Sequence, residues 1–283
     1  MLTTVNAGSL HVQGISIGGL YTTLHVPELH ILFDVGISPR TLAAVDTIFI
    51  SHGHADHIGS LSSLLGIRAL SGKKRPPKII MPVEIVDDLK SALTSLTKLQ
   101  RYDLRIDAVG LKPDDTYQLR GDMSVRAFRT FHPVPSLGYE FIRQVKKLRP
   151  QYLHLSGPEI KDLKFKGEDI FDIQKKQELA YSTDTLIQVL DNEPSLYLTK
   201  VLILECTFLD EKKSLADARA GCHIHLDEII ERADKFKNEK IVLMHFSQIY
   251  KPTDVHRILK ERLPDSLKQK VVAFAPQKGS WPG

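Results

Sequence analysis

Cysteine is scarce in this chain: Cys206 and Cys222 are the only two in 283 residues. Two cysteines without C-x-x-C spacing exclude a disulfide framework. They are expected to be reduced, packed thiols in a reducing compartment. A run of about 18 apolar residues is missing, so no membrane-spanning helix is expected. The opening Met1-Leu2-Thr3-Thr4 lacks a basic segment followed by an apolar one. A secretory signal is therefore not expected, and the cytoplasm is the expected compartment. Long Pro/Ser tracts and like-charge blocks are missing too, which argues against disorder. What is present is ordinary for a soluble globular protein: 42% hydrophobic and 25% charged residues, enough for a sizeable core. The net charge of +4 permits a polyanionic partner without demanding one.

Local patterning predicts strands at Val12–Ile17, Tyr21–Val26, His30–Phe33, Thr47–Ile50 and Lys78–Met81. Further strands are predicted at Arg105–Val109, Met123–Phe128, Gly138–Ile142, Lys200–Leu204, Lys240–His245 and Lys270–Ala275. Apolar residues at helical spacing predict helices at Ile58–Leu70, Val83–Leu99, His225–Phe236 and Thr253–Arg262. Gln144–Lys166, rich in Lys and Arg, reads as a local excursion, and Asp191–Thr199 as a loop or short helix. No repeat and no composition shift marks a linker. The expectation is one α/β domain over 1–283, with two mixed β-sheets and helices outside.

The chemistry concentrates in Ser51-His52-Gly53-His54-Ala55-Asp56-His57, which follows the apolar strand ending at Ile50. One tight loop there can turn several ligands toward one place. Imidazole nitrogen and carboxylate oxygen are a normal zinc shell. Adjacent residues such as Asp56 and His57 converge only on a loop, because in a strand or helix they diverge. A solvated histidine-rich loop is the bland alternative. Three histidines and an aspartate within six positions at the mouth of a buried strand favour metal. One loop cannot close two metal shells, so distant ligands are required. His132, Asp184 and His245 each follow an apolar strand, and strand ends form the site crevice of an α/β sheet.

With these residues the chain resembles the metallo-β-lactamase superfamily, and within it the short form of ribonuclease Z, the tRNA 3′-processing endonuclease. The resemblance runs from about Gly14 to about Ala275. Its superfamily sign is the His-x-His-x-Asp-His motif. The narrower signs are Gly14-Ile15-Ser16-Ile17-Gly18-Gly19, Leu155-Ser156-Gly157-Pro158, Glu205-Cys206-Thr207-Phe208-Leu209, Gly221-Cys222-His223-Ile224-His225 and His245-Phe246-Ser247. The resemblance implies an αβ/βα four-layer sandwich and two Zn2+ ions per chain. It puts His52, His54 and His132 on one zinc, Asp56, His57 and His245 on the other, and Asp184 between them. It makes Asp34 a support of the metal loop, and Glu205 with His223 the pair that protonates the departing 3′ oxygen. His225 is expected to be structural. Two departures stand out. The family's His-x-Ser-x-Arg-Tyr reads His245-Phe246-Ser247-Gln248-Ile249-Tyr250, without arginine, and its Thr-Gly-Asp-Thr reads Ser182-Thr183-Asp184-Thr185.

The implied activity is removal of the 3′ trailer from precursor tRNA, with hydroxide attack on phosphorus at two metals and Asp56 beside the hydroxide. A long Gly/Pro-rich arm is absent. A short basic segment, Arg143, Lys146, Lys147 and Arg149 within about 143–166, stands where the family places its RNA-gripping arm, and the family assembles as a homodimer. The rivals are a phosphodiesterase of small or cyclic nucleotides, a hydrolase of thioesters, lactones or sulfate esters, and a non-catalytic binding protein.

Overall fold

The computed structural model of the protein describes residues 2–282. The first sheet runs, in spatial order, β1 (Thr3–Ala7), β2 (Leu10–Ile17), β3 (Tyr21–Val26), β4 (Ile31–Phe33), β5 (Thr47–Phe49), β6 (Lys78–Pro82) and β7 (Asp107–Leu111). Neighbours from β1 to β4 are antiparallel, and those from β4 to β7 are parallel. The crossovers carry α1 (Ala55–Ile58), α2 (Leu61–Leu70) and α3 (Val86–Gln100).

A second sheet repeats this plan. It orders β8 (Thr116–Arg120), β9 (Met123–Arg129), β10 (Leu137–Leu148), β11 (Phe171–Ser182), β12 (Val201–Glu205), β13 (Lys240–Met244) and β14 (Val271–Ala273). Its antiparallel half ends at β11 and its parallel half begins there. Between β10 and β11 lies α4 (Gly157–Phe165), and after β11 comes α5 (Gln188–Asn192). After β12 come α6 (Leu215–Ala220) and α7 (Leu226–Ile230), and after β13 come α8 (Pro252–Arg262) and α9 (Asp265–Lys268).

Strand periodicity explains the layering. Successive side chains face opposite sides, so each buried parallel strand feeds two cores. In β4 to β6, Phe33, Phe49 and Ile80 pack between the sheets, while Leu32, Ile48 and Ile79 pack against Leu64, Leu65 and Leu93 of the helices. In β12 and β13, Ile203 and Val242 join the inter-sheet core, while Leu202 and Ile241 meet Ile229, Ile258 and other helix residues. The result is the αβ/βα sandwich that the resemblance implies. Phe33 stacks on Tyr181 across the sheets with ring centroids 4.3 Å apart, which brings the two crevices into register.

Several local expectations are corrected. The helix expected over Ile58–Leu70 breaks at Gly59-Ser60, because Ser60 is tied to the loop after β4: its N–H donates to the Val35 carbonyl and its hydroxyl to the Gly36 carbonyl, both at 2.9 Å. The helix expected over His225–Phe236 ends at Ile230. There the Arg232 N–H closes a tighter turn on the Ile229 carbonyl, and its guanidinium takes the freed Glu228 carbonyl. The strand expected at Arg105–Val109 lies at Asp107–Leu111, where pairing with β6 begins. The Gln144–Lys166 excursion is part of a long hairpin, in which β10 and β11 pair from Tyr139↔Tyr181 to Leu148↔Phe171 and α4 occupies the tip. Strands β1, β8 and β11 are additional to those predicted. Among the described residues, no helix is long and apolar enough to cross a membrane.

Candidate metal centre

The seven expected ligands converge at the carboxyl ends of the strands in two groups. In each group the ligand atoms lie within 4.8 Å of one another: His52, His54 and His132 in one, and Asp56, His57, Asp184 and His245 in the other. They arrive on loops after β5, β9, β11 and β13. Unusual backbone geometry marks one of these loops, at His245, and the neighbouring loop after β4, at Asp34. Asp34 (φ 55°) and His245 (φ 60°) adopt the left-handed conformation, which costs a non-glycine residue energy and collects at functional sites. Gly18 bridges to Ser247, and a Cβ on Gly18 would come within 2.9 Å of the His245 carbonyl.

Asp34 is fully buried at the centre of the metal loop. It accepts from the Ser51 N–H at 2.7 Å, the Ser51 hydroxyl at 2.8 Å, His57 Nδ1 at 2.8 Å and the Tyr181 hydroxyl at 2.6 Å. Because the Ser51 hydroxyl gives its proton to Asp34, its oxygen accepts from His52 Nδ1 at 3.0 Å. By the same logic, the Thr207 hydroxyl donates to Glu205 at 2.6 Å and accepts from His245 Nδ1 at 3.1 Å. Each of these histidines thus holds a proton on Nδ1 and turns Nε2 inward, the orientation a metal ligand needs.

The donors fit a metal. His57 Nε2, His245 Nε2 and Asp184 Oδ1 are buried with no hydrogen-bond partner, and buried polar atoms without partners call for an explanation such as an ion. In the other group, His54 Nδ1 lies 3.1 Å from both His52 Nε2 and His132 Nε2. Ligands around one tetrahedral zinc stand roughly 3.3 Å apart. Titration agrees with this fit. Burial and the neighbouring His57 push His52 down to about 2, and burial lowers His132 to about 4, so both keep free lone pairs at neutral pH. Burial alone would raise Asp184 and lower His57, but each holds the other charged. The His245 and His57 imidazoles keep the Asp184 carboxyl well below the usual range, and Asp184 and Asp34 raise His57 well above its own, so a proton on His57 competes with a cation for that position. The two carboxylates, Asp56 and Asp184, therefore face a position that favours positive charge.

Beside this centre, buried Glu205 accepts from the backbone N–H groups of Thr185 at 2.9 Å and Ile224 at 3.2 Å, and from His223 Nδ1 at 2.9 Å. Burial would lower His223, yet the Glu205 carboxylate raises it to about 9. Its ring centroid lies 5.2 Å from that of His245 and 6.0 Å from that of His132. His225 caps α7, accepting from the Asp227 N–H, and is structural. Sequence reasoning missed Ser51 and Thr207 as the hydroxyls that orient ligands, although both stand inside motifs it singled out.

The basic segment lies apart, on the hairpin. Lys146 and Lys147 are exposed. Adjacent strand residues point to opposite faces, so these two lysines do not share a surface. Arg143 pairs with Asp122 and Glu178, and Arg149 with Asp169 and Asp172.

Comparison with known proteins agrees with this architecture. The family model described as Anti-Pycsar protein Apyc1 matches residues 29–272. The chain is 38% identical over 265 residues to tRNase Z TRZ1 of Arabidopsis thaliana, covering 93% of this chain and 94% of that protein. A metallo-β-lactamase-fold protein of Bacillus subtilis superposes with a TM-score of 0.60 at 15% identity, covering 96% of this chain and 94% of that one. The human short-form tRNase Z superposes with a TM-score of 0.57 at 21% identity, covering 83% and 92%. On these matches, which span most of its length, the chain belongs to the Apyc1 and tRNase Z family of metallo-β-lactamase-fold proteins.

Proposed function

We propose that the chain is a metal-dependent endoribonuclease that removes the 3′ trailer of precursor tRNA, using two zinc ions. The observation that carries this reading is the pairing of a seven-ligand centre with His223, held by Glu205 at its edge. A centre that only bound metal would have no use for a protonated imidazole there. His52, His54 and His132 would hold one zinc, and Asp56, His57 and His245 the other, with Asp184 shared. Bound there, the metals would supply Lewis-acid activation of water and stabilisation of phosphoryl charge.

The chain's own residues divide the remaining work. Asp56 is partly exposed, unlike His57 and His245, and is placed to take a proton from the attacking water. The Glu205 carboxylate raises His223, which favours a proton on each ring nitrogen at neutral pH. Nδ1–H is used on Glu205, so Nε2–H remains for the departing 3′ oxygen. One of the two exposed hairpin lysines, Lys146 or Lys147, is the contact expected for the tRNA body. A homodimer would let one chain's hairpin reach RNA at the other chain's site.

A second reading, hydrolysis of small phosphodiesters, is favoured by Ile249. It stands 48% exposed where the family pattern carries arginine. Incubating zinc-loaded protein with a 3′-extended precursor tRNA, beside bis-p-nitrophenyl phosphate, separates the two. Cleavage of both supports the RNA reading, and cleavage of the small ester alone supports the second.

A further inference from the structure

A groove of about 470 Å3 opens beside the metal centre. Its walls include His132, Arg129, Glu84 and the run Pro133-Val134-Pro135, while Glu205, His223 and His245 take no part in it. The groove thus shares one residue, His132, with the first ligand group, and the imidazole that would meet the leaving oxygen does not line it.

The wall is rigid. The Thr130 hydroxyl donates to the Ser136 hydroxyl at 2.6 Å and closes the loop. The Leu137 N–H donates to the Ser51 carbonyl at 3.0 Å, and the Phe131 N–H to the Thr185 hydroxyl at 2.8 Å. Two prolines fix φ within the span so enclosed. A wall ordered in advance loses little entropy when a ligand packs on it.

Its chemistry is mixed in a specific way. Pro133, Val134 and Pro135 offer an apolar face. The Arg129 guanidinium lies over the Phe131 ring at 5.6 Å and, among the described residues, pairs with no carboxylate. Glu84 also borders the groove, yet the two do not pair with each other. Arg129 thus keeps its donors for an anion and Glu84 keeps its acceptors for N–H groups. A flat apolar body joined to an anion and to amino groups is the description of a nucleotide.

Direction follows from His223. The 3′ oxygen of the tRNA departs toward that imidazole, so the trailer, on an equatorial ester oxygen of the same phosphorus, leaves roughly at right angles to that direction and not past His223. We propose that this groove is a subsite for the first nucleotide of the 3′ trailer, with Arg129 holding the phosphate that follows that nucleotide. The inference rests on the precursor-RNA reading above and adds to it a site for the trailer.

The test compares precursor tRNAs whose trailers carry one nucleotide or three, because only the longer trailer possesses that second phosphate. A charge-assisted contact of this kind is worth about tenfold or more in kcat/KM. The zinc-loaded protein is expected to prefer the longer trailer by about that factor. In Arg129→Gln the ratio should fall toward one, and the salt slope on the longer substrate should shrink by about 0.7. Arg129→Lys should recover part of the preference. A ratio near one in the unaltered protein, or a ratio retained in Arg129→Gln, would overturn the subsite while leaving RNA cleavage standing. Hydrolysis of bis-p-nitrophenyl phosphate with neither RNA cut would overturn the RNA reading and the subsite with it.

Discussion

Replacing Asp34 by asparagine isolates what the buried carboxylate does for the metals. Both oxygens of Asp34 accept, one from the Ser51 N–H and the other from Ser51 Oγ, His57 Nδ1 and Tyr181 Oη. An amide has only one accepting atom. Either orientation therefore sets an NH2 against a buried donor, His57 Nδ1–H or the Ser51 N–H. Losing an acceptor in that position costs roughly 1–3 kcal/mol. His57 can escape by moving its proton to Nε2, which removes the lone pair aimed at the metal, and His52 loses its anchor through Ser51. Changes to such supporting groups lower metal affinity about 10–100-fold, or about 1.4–2.7 kcal/mol. The assay is zinc retention against a graded chelator, with thermal melting of the metal-free protein measured alongside. The expected outcome is weaker retention by that factor together with a lower melting temperature. Unchanged zinc affinity in Asp34→Asn would show that the hydrogen bonds to Asp34 do not orient the ligands.

Other substitutions probe the remaining parts. His223→Ala should slow cleavage of precursor tRNA about 10²–10⁴-fold and p-nitrophenyl esters far less, because p-nitrophenolate departs without a proton; equal losses in single-turnover assays would make His223 structural. Glu205 raises His223 to about 9, and a general acid works only while protonated, so if His223 fills that role activity should fall as pH rises through that value. In Glu205→Gln the fall should begin at lower pH, and a pH–rate profile with an unshifted alkaline limb would contradict the pairing. On the hairpin, Lys146 and Lys147 face opposite ways, so one of Lys146→Ala and Lys147→Ala should flatten the salt dependence of KM by roughly 0.7–0.9 and the other should not. Equal effects of the two would contradict binding through a single face.

The parts legible in the sequence were those that a local pattern encodes. The ligand loop announced itself because His52, His54, Asp56 and His57 are crowded behind a short apolar strand. His132, Asp184 and His245 could be nominated because each follows an apolar run. Distances between loops from different strands are not written in any local pattern. The convergence on Asp34, Ser51 and Tyr181 depends on packing two sheets face to face, and the roles of Ser51 and Thr207 follow from which neighbour takes each hydroxyl proton. The helix breaks at Gly59-Ser60 and after Ile230 were illegible for the same reason, since hydrogen bonds to Val35, Gly36 and Glu228 override helical periodicity. The basic run looked like one patch in sequence. Pairing β10 with β11 splits it between two faces and commits both arginines to carboxylates.

The claim that this centre cuts RNA is tested most directly by the ends it leaves. Zinc-loaded protein is incubated with an end-labelled, 3′-extended precursor tRNA, and both fragments are recovered. The account predicts a single cut at the trailer junction, a 3′-hydroxyl on the tRNA and a 5′-phosphate on the trailer, with the cut abolished by chelator and restored by zinc. A precursor left intact by protein that holds two zinc equivalents, or a cut leaving a 3′-phosphate, would contradict it.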